Sequence, residues 1–92
     1  MKKCESVWIF CGDDARFPSA VFTSIEKAER WIAQKKVSGM LTEYPVDISC
    51  YEWALACGYF EEKESNSDRL TMRFQTFTSA SQKHFHYEKG IR

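Results

Sequence analysis

The residue types best equipped for chemistry stand close together near the end of the chain, in His84-Phe85-His86-Tyr87. Alternate residues of a β-strand project from one face, so two imidazoles at this spacing can chelate one metal ion or act as an acid and a base. A metal centre needs a third donor and commonly a fourth. Cys50, Cys57, Asp47 and Glu88 are donors of the right kind, but nothing in their spacing brings them to the histidines. A ribonuclease-like reaction would also need a cation for the phosphate, and Lys83 and Arg73 are the candidates. The plainer expectation is a polar strand face bearing His84 and His86, with Phe85 and Tyr87 in the core.

Four cysteines fall into two pairs, Cys4 with Cys11 and Cys50 with Cys57, each separated by seven residues. On a strand an odd separation places the two on opposite faces; on a helix seven residues are two turns, about 10.5 Å along the axis. Neither pair can bridge locally, and zinc ligands usually enter at spacings of two to four residues. Buried, reduced thiols acting as small apolar groups are expected. Gly12-Asp13-Asp14 lacks the glycine-rich pattern that cradles phosphate, and its two carboxylates would repel one. An aspartate-rich turn closing a hairpin accounts for them.

The strongest local charge lies in Glu61-Glu62-Lys63-Glu64-Ser65-Asn66-Ser67-Asp68, which holds four carboxylates and no large apolar residue. This reads as a mobile loop. With the Asp13-Asp14 turn and the neighbouring Phe17 it forms the expected partner-binding set: Asp13, Asp14, Phe17, Glu61, Glu62, Glu64 and Asp68. An acidic rim of this kind speeds encounter with a basic protein without requiring net charge on the whole molecule. The whole chain indeed carries none, since thirteen Lys and Arg balance thirteen Asp and Glu. A global field for holding nucleic acid or an anionic membrane is therefore missing. The longest apolar runs, Val7 to Cys11 and Trp53 to Cys57, are far below the roughly 20 residues that span a bilayer.

Positioning these groups takes one domain over residues 1–92, since the chain's 43% hydrophobic content is enough for a single core. Aromatic and β-branched residues from Ser6 to Phe10, the turn at Gly12 and the extended Ala20-Val21-Phe22 predict a hairpin. Thr23-x-x-Glu26 has the form of a capping box, and Ile25, Ala28, Trp31 and Ile32 lie on one stripe, so a helix is predicted over about 24–37, ended by Ser38-Gly39. Met40 to Tyr44, closed by Pro45, suits an edge strand or connector. Ser49-x-x-Glu52 predicts a second helix over about 48–57, with Gly58 as its exit. Tyr59-Phe60 can begin a strand, and the alternation of Leu70, Met72 and Phe74 predicts another, broken by a bulge before Phe77. His84 to Tyr87 would return as its hairpin partner. The resulting fold class is α+β: an antiparallel sheet of four to six strands packed against two helices, with Trp8, Trp31 and Trp53 meeting in one core.

Val7-Trp8-Ile9-Phe10-x-Gly12, Phe17-Pro18-Ser19-x-Val21-Phe22, Ala28-Glu29-x-Trp31-Ile32, Ser38-Gly39-x-Leu41-Thr42-Glu43-Tyr44-Pro45, Tyr51-Glu52-Trp53-Ala54 and His84-Phe85-His86-Tyr87 together resemble a family of small bacterial domains of unknown function. The resemblance spans nearly the whole chain and implies a self-contained bacterial unit with no activity attached. In size and character the chain is similar to bacterial immunity proteins, an analogy of class. The sequence expectation is thus a cytoplasmic, non-catalytic protein-binding module, an immunity protein that covers a basic toxin domain. It needs no cofactor or metal, binds neither nucleic acid nor membrane, and is a monomer or homodimer. The alternative is a metal-dependent or ribonuclease-like enzyme using His84 and His86.

Overall fold

The computed structural model describes residues 5–92. Its element order is β1 (Ser6–Gly12), β2 (Ala20–Phe22), α1 (Ile25–Lys35), β3 (Gly39–Pro45), α2 (Cys50–Ala56), α3 (Ser67–Thr76) and β4 (His84–Tyr87). The four strands form one antiparallel sheet in the order β2-β1-β3-β4. The fold is α+β, as its sequence pattern predicts.

β1 and β2 make the expected hairpin, with Trp8 opposite Phe22 and Phe10 opposite Ala20. β3 is a correction: it is a central strand, pairing along its whole length with β1, from Ser6 opposite Pro45 to Gly12 opposite Gly39, and with β4 on its other side. Pro45 fits there because it is the last residue of the strand, where a missing N–H costs little of the ladder. β4 therefore pairs with β3, Leu41 opposite Phe85, and not with the segment around Leu70.

α1 begins at Ser24, one residue later than the capping box suggested: Ser24 Oγ accepts from Lys27 N at 3.2 Å. It ends at Lys36, whose left-handed backbone (φ 56°) lets its N–H return to Ile32 O. The stripe holds as expected. Ala28 and Ile32 are fully buried against Trp8, Phe10, Leu41 and Tyr87, and Trp31 meets Phe10 edge-on at 5.6 Å and Phe22 at 5.5 Å. Burying Phe10, Ile32 and Leu41 completely stabilises the fold by about 1.5–3 kcal/mol each.

The main departure is α3. Leu70 to Phe74 is helical, so the described residues hold three helices where two were expected. Five residues of alternation also fit a helix once the next aromatic is counted, because Leu70, Phe74 and Phe77 are spaced i, i+4, i+7. The break before Phe77, which resembles a bulge on a strand, is helical phase. Asn66 starts the helix by accepting from Asp68 N at 3.0 Å and Arg69 N at 3.1 Å. Tyr59-Phe60 forms no strand. Instead Tyr51 meets Phe60, Phe74 and Phe77 edge-on at 5.1 to 6.1 Å, a second aromatic cluster joining α2, α3 and the segment between them.

Two further expectations are corrected. Trp53 does not join Trp8 and Trp31 but lies against Tyr59, with ring centroids 5.4 Å apart. Cys57 is exposed, while Cys11 and Cys50 are half-buried free thiols; Cys4 lies outside the described residues.

Candidate functional site

Two surfaces combine unusual composition with exposure. The first is the face of the sheet turned away from α1. Because Trp8, Phe10, Leu41, Phe85 and Tyr87 point toward α1, the residues between them point the other way. The strand register lines them up in three cross-strand rows: Cys11, Met40 and His86; Val21, Ile9, Thr42 and His84; Val7 and Tyr44. None of the nine is an acid, a lysine or an arginine. Val21 is 62% exposed and Met40 38%, and Ile9, Val7 and Cys11 are only half-buried. An antiparallel sheet with one wet face normally alternates apolar with polar residues, whereas β1 is apolar on both parities, the pattern of a strand covered on both sides.

The second surface is a cleft of about 170 Å³ where four segments converge: Glu5 and Ser6 from the start of β1, Glu43 and Pro45 from the end of β3, Trp53 and Tyr59 from α2 and its exit, and Ser81 to Lys83 before β4. Local structure builds each wall. Gly58 leaves α2 with φ +78°, folding Tyr59 back so that its N–H reaches Ala54 O at 2.8 Å and its ring leans on Trp53. Gln82 is 3% exposed and acts as the floor brace: Nε2 donates to Glu43 O at 3.1 Å, and Oε1 accepts from Ser79 N at 2.9 Å. Ser6 Oγ donates to Glu43 Oε2 at 2.5 Å. No ion pair among the described residues engages Glu5, Glu43 or Lys83.

His84 and His86 share one face as expected, with rings 5.8 Å apart and both exposed. The ring nitrogen His84 Nδ1 lies 2.9 Å from Gln82 O. Among the described residues no third His, Cys, Asp or Glu joins them. Burial pushes the Cys50 thiol above its ordinary value, outweighing the hydrogen bond with Gln82 that lowers it. It stays protonated at neutral pH, the unreactive form. Burial likewise raises Tyr44, which the nearby Cys50 and Cys11 raise further.

The acidic residues do not form one patch. Asp13 and Asp14 follow Gly12, at the β1 end opposite Gly39, and Phe17 is 73% exposed in the same loop. Residues 61–68 attach to α2 and α3, beyond the Pro45 end of β3. Six strand steps, about 20 Å, separate the two ends. The 61–68 segment is also not a free loop. Glu62 accepts from Arg73 Nε at 2.8 Å and from the Tyr51 hydroxyl at 3.2 Å, Glu64 pairs with Arg69 at 3.3 Å and Glu61 with Lys63 at 3.8 Å. Of its four carboxylates, only Asp68 lacks an ion pair among the described residues.

The extent of the fold decides the relationship of this chain to known proteins, because every element described above lies within one family match over residues 7–92, apart from the first residue of β1. The chain belongs to the family described as "Domain of unknown function (DUF7710)". No curated protein and no solved structure matches it. For this DUF7710 domain the open sheet face and the aromatic cleft are the residues that sequence reasoning missed. The doubly apolar parity of β1 is the signal for the first, and Gly58 directly after α2 is the signal for the second.

Proposed function

We propose that the protein is a non-catalytic protein-binding module whose partner covers the open face of the sheet. One observation supports this above the others: nine side chains, none of them an acid, a lysine or an arginine, stand in register on this face, where Val21, Met40, His84 and His86 are exposed and the 78–82 segment borders only the Met40-Thr42-Tyr44-His84 side. Leaving Val21 and Met40 in water forgoes burial worth about 25 cal/mol per Å² of apolar area, which a partner surface recovers. The acidic 61–68 segment, three of whose carboxylates pair with Lys63 or with Arg69 and Arg73 of α3, has a smaller part than its composition suggests. In its specific form the proposal is an immunity protein that neutralises a toxin by direct contact.

The test is co-expression with each toxin encoded beside its gene, comparing the wild type with Val21→Glu and Ile9→Glu. The expected result is protection and a stable complex for the wild type, lost in both variants while circular dichroism stays native. Protection that survives both substitutions, or no binding to any neighbouring product, would overturn the proposal.

A further inference from the structure

We propose that the cleft between β1, β3, α2 and the start of β4 is a recognition pocket for a single arginine side chain of a partner protein. It adjoins the open sheet face at Gln82 but is lined by different strand residues, and neither proposal depends on the other. The volume, about 170 Å³, is below the 300–1,000 Å³ typical of pockets for whole small molecules, and suits one long side chain. Its chemistry narrows the class further. Glu5, Glu43 and Lys83 all line it, two carboxylates and one ammonium, and among the described residues none of the three is in an ion pair. An anionic group would be repelled by both carboxylates. A neutral apolar group would strip water from Glu43 and return nothing.

A guanidinium meets every requirement of the lining. It is flat, and Trp53 and Tyr59, packed together at 51°, supply an aromatic wall to the cleft. It presents a fork of donors to a carboxylate, and Glu43 is held for it: Ser6 Oγ binds Oε2, while Gln82 and the Lys83 carbonyl hold the Glu43 backbone, the latter at 2.9 Å from Glu43 N. The carboxylate is therefore fixed before the ligand arrives, which lowers the entropy lost on binding. Lys83 opposes a second positive charge, so the pocket accepts one cation and its affinity is limited by its own rim.

The probe is N-acetyl-L-arginine amide, titrated into the full chain with the indole N–H of Trp53 followed by nuclear magnetic resonance. Saturable binding with a dissociation constant on the order of 1 mM is expected, weakening several-fold as salt is raised. Glu43→Gln, which keeps the side chain's shape, should weaken it about tenfold. Tyr59→Ala, at a 57% exposed position, should weaken it about threefold, and Lys83→Met should tighten it. N-acetyl-norleucine amide should give no saturable shift. The proposal is overturned if the norleucine compound binds as well, if arginine produces no saturable shift, or if natively folded Glu43→Gln and Tyr59→Ala proteins titrate like the wild type.

Discussion

Arg73 donates from Nε to Glu62 at 2.8 Å, and through that carboxylate α3 is tied to the Tyr51 hydroxyl of α2. The tie matters because α3 has no buried residue of its own. Arg73→Ala should therefore release α3 while the sheet stays intact: amide exchange across 67–76 should rise toward loop values, with β1 and β3 amides unchanged.

The same pair sets an acid limit. Arg73's hydrogen bond, followed by that from the Glu64 amide, holds the Glu62 carboxyl below its ordinary value. A lowered folded-state value gives stability that is complete above the ordinary glutamate range, about 4.3, and is lost as pH falls through the lower folded value. α3 should thus fray below about pH 4 in the wild type, and Glu62→Gln should remove that pH dependence in an exchange-monitored titration.

Tyr87 gives the corresponding alkaline limit. Burial, then its 2.6 Å hydrogen bond to Glu29, raises the phenol far above its ordinary value of about 10. The contribution is complete below pH 10 and lost as pH rises through the folded value. Tyr87→Phe should lower stability by about 1 kcal/mol at neutral pH and flatten the decline above pH 10, both measurable by urea unfolding.

The start of α1 separates two adjacent hydroxyls. Ser24→Ala should cost about 1 kcal/mol because Ser24 Oγ caps Lys27 N. Thr23→Ala, at an exposed position before the cap, should stay within about 0.5 kcal/mol. Equal losses in thermal unfolding would contradict this assignment of the cap.

Gly39 is the tighter of the two glycines in the sheet. A Cβ there would overlap the Cys11 carbonyl oxygen and stand 2.7 Å from Gly12 Cα and 2.8 Å from the Phe10 ring. Two of these neighbours are backbone, so relief requires parting β1 from β3. Gly39→Ala should cost about 3 kcal/mol or more, whereas Gly58→Ala meets no atom within 4 Å and carries only the strain of its positive φ.

What the sequence alone determined is whatever local periodicity and capping chemistry specify. The β1–β2 hairpin, the stripe Ile25-Ala28-Trp31-Ile32 and the Ser49 cap, whose Oγ accepts from Glu52 N at 3.1 Å and donates to Glu52 Oε1 at 2.7 Å, follow from side chains a few residues apart. Leu70-Met72-Phe74 shows where that legibility stops: five residues fit a strand or a helix, and the contact of Phe74 and Phe77 with Tyr51, some twenty residues away, selects the helix. The central place of β3 and the gathering of Glu43, Trp53, Tyr59 and Lys83 around one cleft were likewise decided only by tertiary structure, because strand order and the packing of distant segments depend on long-range contacts that no local pattern encodes. The acidic segment is the clearest case. Its charge is plain in the sequence, but its neutralisation depends on α3 turning Arg69 and Arg73 back toward Glu64 and Glu62.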